Sequence, residues 1–132
     1  MKFDWTEYFT LAQDLIKAET NEARQRASIS RAYYAAFCIA RNYLRDHRNE
    51  TSKRGENEHQ FVATTFQALA HNNPPMREIA NDLSRLRQER NQADYNDIVP
   101  NLHSRTRLSL KLAQNILNKV TELVKTIELK NQ

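Results

Sequence analysis

Ser30-Arg31-Ala32-Tyr33-Tyr34-Ala35-Ala36-Phe37 lies inside a longer stretch, about Asn21 to His47, that reads as one helix. Ile29, Tyr33, Ala36, Ala40 and Leu44 recur at spacings of three and four, so they share a face. Ala32, Ala35, Phe37, Cys38, Ile39 and Tyr43 widen that face around the cylinder. A helix this apolar on several sides must be covered on several sides, which predicts a central helix in a bundle.

The flanking sequence supplies the cover. Trp5, Tyr8, Phe9, Ala12, Leu15 and Ile16 form one stripe, predicting a first helix from Asp4 to about Ala18 with Asp4 as its cap. Residues 48–58 have no period and hold the only glycine, Gly55, so they read as a surface loop. Val62, Thr65, Phe66 and Leu69 predict a third helix from about Glu58 to His71, ended by Asn72-Asn73-Pro74-Pro75. A fourth begins at the proline pair, where the missing N–H groups cost nothing. A fifth runs from about Asn101 to Glu128. Its seam is Leu110, Ala113, Leu117, Val120, Val124 and Ile127, and Leu112, Ile116 and Leu123 form a second apolar edge. Two edges imply either that this helix crosses several others or that one edge is buried in a dimer. The expectation is an all-α, up-and-down bundle of about five helices, formed as one domain over residues 1–132.

Composition narrows the function. One cysteine, Cys38, excludes an intramolecular disulfide and points to a reducing cytoplasm. The N-terminus lacks the apolar core of a signal peptide, and no apolar run approaches a membrane span. His47, His59, His71 and His103 show no metal-ligand spacing, so neither metal nor cofactor is expected. One glycine excludes a glycine-rich phosphate loop. Residues 1–100 carry fourteen basic and fourteen acidic side chains, so the net charge of +4 lies wholly beyond Pro100, on the last helix. Six cations spread over that length read as a solvated face; a nucleic-acid face would be denser.

The densest chemistry is Arg87-Gln88-Glu89-Arg90-Asn91-Gln92-Ala93-Asp94-Tyr95. Met76, Ile79, Leu83 and Leu86 lead along one face to Arg90, an always-charged group where the pattern asks for an apolar one. Buried there, it needs an acid, a phosphate or an open cleft. Arg90 and Asp94 stand at i,i+4, the spacing of an intrahelical ion pair; the alternatives are that Asp94 caps the turn or reaches Arg31 on the second helix. Tyr33 and Tyr34 read as core residues whose hydroxyls need partners, with Arg87 and Asp94 as candidates. His59 reads as a helix-start residue, and Cys38 as an inert small hydrophobe.

Two segments, Ser-Arg-x-Tyr-Tyr-Ala-x-Phe over 30–37 and Arg-x-x-Ala-Asp-Tyr over 90–95, with His59 seven residues before Phe66 between them, resemble the HEPN superfamily of small prokaryotic helical bundles. The resemblance covers roughly residues 5 to 128. It implies a metal-independent ribonuclease whose site forms where two copies of an Arg-polar-His motif meet across a homodimer. It also implies a setting in phage defence, CRISPR or toxin–antitoxin systems, the last beside a nucleotidyltransferase encoded nearby. On this reading Arg90, Asn91 and Tyr95 are the candidate catalytic residues, and Arg87, Arg90 and Asp94 the candidate RNA contacts.

The chain departs from that motif at the histidine. Tyr95, Asn96 and Asp97 occupy the window after Arg90, and Gln92, Ala93 and Asp94 occupy the one after Arg87. Histidine suits proton transfer because its ordinary pKa is about 6.5, whereas tyrosine, near 10, is a poor base. Arg90-Asn91 favours binding of RNA or a nucleotide. The missing histidine favours a non-catalytic interaction module that uses the same dimer cleft or the last helix.

Overall fold

The computed structural model describes residues 2–17 and 19–131. Five helices follow in order: α1 (Thr6–Asp14), α2 (Glu22–Arg48), α3 (Glu58–Ala68), α4 (Pro74–Tyr95) and α5 (Leu102–Lys130). No strand occurs among the described residues, and the all-α bundle is as expected. The first helix is shorter than its apolar stripe suggested: it ends at Asp14, turns carry the chain to Lys17, and the anticipated end at Ala18 lies outside the described residues. Helix α3 likewise stops at Ala68, short of His71.

Local chemistry accounts for the ends. Asn21, Asn57 and Asn73 each accept a hydrogen bond from the backbone N–H three residues on, at 2.9, 3.1 and 3.3 Å, and so cap α2, α3 and α4. The Asp4 carboxylate accepts from Thr6 N at 3.0 Å ahead of α1. The chain reverses at Asn49, Asn72 and Asn101, each at positive φ, besides Gly55. Asparagine tolerates the left-handed region best among residues with a Cβ, so it takes the place glycine usually has at helix ends.

Helix α2 is the axis and packs against all four other helices. Its alanines Ala32, Ala36 and Ala40 are fully buried, as are Ala12 of α1 and Ala113 of α5. Small residues at these crossings let the helix axes approach. Helix α5 lies along α2 and α4 and touches α1. Both of its apolar edges are used there: Leu112, Ala113, Ile116, Leu117 and Val120 are buried, and Leu110, Leu123, Val124 and Ile127 pack partly buried against the same core. Of the two anticipated uses of that width, the intramolecular one holds, so α5's second edge is not by itself a reason for a dimer. Two of its cations are paired as well. Arg105 meets both Glu89 oxygens at 3.1 Å, and Lys119 lies 3.2 Å from Glu78. No described helix is long and apolar enough to cross a membrane.

Candidate anion-binding site

Helix α4 brings the polar cluster to the bundle. Met76, Ile79, Leu83 and Leu86 are buried against the core, and Arg90 continues the stripe inward at 7% exposure. Its guanidinium carbon sits 5.1 Å from the Tyr33 ring centre and 5.5 Å from that of Tyr34. Nη1 donates to the Tyr34 hydroxyl at 3.4 Å and lies 3.9 Å from Asp94. Nε is sealed from solvent without a partner. Two ring faces, one loose ion pair and one long hydrogen bond hold this charge. It is a guanidinium embedded in the fold.

Asp94 does not reach Arg31 directly. Ser30 Oγ donates to Asp94 at 3.3 Å and accepts from Arg31 at 3.4 Å, so the serine bridges them. Arg31 also lies over the rings of Tyr8 and Tyr34, at 5.1 and 5.6 Å.

A different set of side chains opens to solvent. Between α2, α3 and α4 lies a cavity of about 290 Å³ lined by Tyr33, Phe37, His59, Arg87 and Asn91, among others. Arg87 is half-buried with no hydrogen-bond or ion-pair partner among the described residues. His59, the second residue of α3, stacks on Phe37 with ring centres 4.3 Å apart. Its Nδ1 is hydrogen-bonded to the Tyr33 hydroxyl at 2.5 Å. Burial, then the positive charges of Arg87 and Arg90, hold the His59 pKa below its ordinary value, so the ring is neutral at pH 7. Burial pushes the Tyr33 phenol well above its ordinary value, so it remains protonated. A larger depression of about 460 Å³ under the 49–57 loop is lined by Glu50 and Glu56 and by no cation, which makes it a poor anion site.

The residues singled out from sequence therefore divide. Arg87 and Asn91, one helical turn apart, line the cavity; Arg90 is packed behind it; Asp94 lies on the Ser30 side; and Tyr95 is 74% exposed at the end of α4. Arg90, Asn91 and Tyr95 do not converge. Helical geometry gives the reason: each residue advances about 100°, so Tyr95 points about 140° away from Arg90, whereas Asn91 lies only about 40° from Arg87. His59 and Tyr33 are the additions. Sequence showed a histidine at a helix start, but only the packing of α3 on α2 brings it to Arg87. Among the described residues no three His, Cys, Asp or Glu side chains cluster to hold a metal.

An all-α bundle around a long central helix, with a guanidinium, an amide and an imidazole gathered where that helix meets α3 and α4, defines the class. The HEPN domain family matches residues 7–130, nearly the whole chain, and the protein belongs to that family. It is similar to the "Uncharacterized protein MJ0628" of Methanocaldococcus jannaschii, 32% identical over 89 residues, covering 60% of this chain and 54% of that protein. The alignment thus spans about half the length of that relative. No solved structure matches the chain.

Proposed function

We propose that this HEPN protein binds RNA, or a nucleotide, through a phosphate held by Arg87 and Asn91 in the α2–α3–α4 cavity. The observation that carries the proposal is Arg87: a half-buried guanidinium without a carboxylate partner, beside an amide and a neutral imidazole, on a floor of Tyr33 and Phe37. Guanidinium and amide N–H groups suit phosphate oxygens, and a neutral ring adds no charge to be desolvated. A cavity of about 290 Å³ takes a phosphate and its ribose rather than a large cofactor. We place the protein, as a homodimer, in the cytoplasm within a prokaryotic defence or toxin–antitoxin system, acting as a metal-independent ribonuclease of variant type.

Fluorescence anisotropy with a labelled single-stranded RNA tests the binding. The wild type should bind, and Arg87→Ala should weaken binding by about 1–3 kcal/mol, roughly 5- to 150-fold, without lowering the melting temperature. Equal affinity for wild type and variant would overturn the assignment. A second reading, a protein-interaction module, is favoured by a different observation: Tyr95 and Ile98 stand 74% and 83% exposed, three residues apart at the α4–α5 corner.

A further inference from the structure

We propose that His59 is the proton-transfer group of this site, so that one chain supplies from α3 the histidine missing after Arg90. The proposal rests on the RNA-binding reading above and adds a chemical role to it.

Three observations carry it. First, His59 shares a cavity with Arg87 and Asn91, so a phosphate held by those two lies beside the imidazole. Second, the ring is fixed. Phe37 stacks on it with planes 19° apart, Tyr33 stacks at 5.6 Å with planes 17° apart, and the Tyr33 hydroxyl engages Nδ1. A base oriented on one nitrogen by a fixed partner presents the other to the substrate. Third, Nε2 has no partner among the described residues and is not sealed from solvent. With the proton on Nδ1, that nitrogen donates to the Tyr33 oxygen, and Nε2 carries the lone pair.

The groups facing His59 set its charge. Tyr33 of α2 is a neutral phenol; Arg87 and Arg90 of α4 are cations; Glu58, its neighbour on α3, is the acid acting on it among the described residues. Together with burial they keep the free imidazole unprotonated at neutral pH, ready to accept a proton.

The step that follows is a transesterification. Nε2 takes the proton of a ribose 2′-OH, and the 2′ oxygen bonds to the adjacent phosphorus. The bond from phosphorus to the 5′ oxygen of the next nucleotide breaks, and that oxygen leaves with a proton from water. The imidazolium returns its proton to the resulting hydroxide. The products are a 2′,3′-cyclic phosphate and a 5′-OH; no oxidant, metal or net water is consumed. Arg87 neutralises charge on the phosphate. Tyr33 is a positioning residue, and Arg90, packed on its ring, acts only through it.

The test is cleavage of a single-stranded RNA in EDTA across pH 5 to 9, with the His59 ring titrated by NMR in parallel. The wild type should leave cyclic-phosphate ends, with activity lost as pH falls through the lowered His59 pKa and the base protonates. At saturating RNA, His59→Gln should cleave on the order of 10²-fold more slowly than the wild type. Tyr33→Phe, which loses the Nδ1 partner, should shift the acid limb of the profile along with the His59 titration, a change that a merely structural tyrosine would not produce. Adding a 3′-mononucleotide should raise the His59 pKa in the wild type and fail to do so in Arg87→Ala. RNA bound through Arg87 but left intact by the wild type, or cleaved equally by His59→Gln, would overturn the role of His59 and leave the binding reading standing. No RNA binding at all would overturn both. Should His59→Gln fail to fold, the wild-type NMR titration decides: a His59 resonance indifferent to the nucleotide refutes the proposal.

Discussion

Replacing Arg90 by methionine and by alanine separates what its charge contributes from what its stem contributes. The charge has two ring contacts, at 5.1 and 5.5 Å, worth about 1–2 kcal/mol each when desolvated. The Asp94 pair at 3.9 Å, with the carboxylate side chain 27% exposed, adds at most about 1 kcal/mol. Against these stand the orphaned Nε, costing about 1–3 kcal/mol, and the desolvation of a buried cation. The electrostatic terms nearly cancel. The stem does not: three buried methylenes contribute about 0.8 kcal/mol each, and alanine also leaves a cavity. Arg90→Met should therefore cost less than about 1.5 kcal/mol, and Arg90→Ala about 2–4 kcal/mol. For a chain of this length that is a fall in melting temperature of only a few degrees for methionine and of roughly 10 °C for alanine. Thermal unfolding followed by circular dichroism reads both. RNA affinity should be unchanged in the methionine variant. If methionine destabilises as much as alanine, the charge itself sustains the fold and the reasoning fails. It fails equally if alanine unfolds with the wild type.

The remaining expectations are simpler. The His59 pKa is lowered in the folded chain, so between that value and about 6.5 the unfolded state binds more protons. The stabilisation is complete above about pH 6.5 and is lost as pH falls through the lowered value. Melting temperature against pH should slope there, separately from the acid range where Asp46, held low by Arg45, titrates, and His59→Gln should flatten the slope. Glu89→Gln, which breaks the ion pair joining α4 to α5 in which Arg105 Nη1 meets both carboxylate oxygens at 3.1 Å, should cost about 1 kcal/mol and leave RNA binding intact, as melting and anisotropy would show. Light scattering at micromolar concentration should return the mass of a homodimer; monomer alone would contradict that expectation.

The helices were legible in the sequence because apolar spacing is a local signal. The inward turn of Arg90 was legible for the same reason, since Leu83 and Leu86 carry the buried stripe to it. Its partners were partly legible: a tyrosine hydroxyl and Asp94 were expected, whereas the sandwich between two rings depends on how α2 faces α4. Tyr95 was drawn into the site by adjacency in the chain, although a turn of the helix sends it to the surface. His59 could not be placed, because its meeting with Tyr33 is set by tertiary packing across 26 residues of sequence. The left-handed turns were hidden too: a chain with a single glycine gives little turn signal when Asn49, Asn72 and Asn101 do that work.

The central claim is that a polyanion enters the cavity between α2, α3 and α4. Mapping backbone and histidine NMR shifts during titration with a short single-stranded RNA tests it most directly. The largest changes should fall on His59, Arg87 and Asn91, weaken as salt is raised, and need higher RNA concentrations in Arg87→Ala. Changes confined to Tyr95 and Ile98 at the α4–α5 corner, with His59 and Arg87 unmoved, would contradict it.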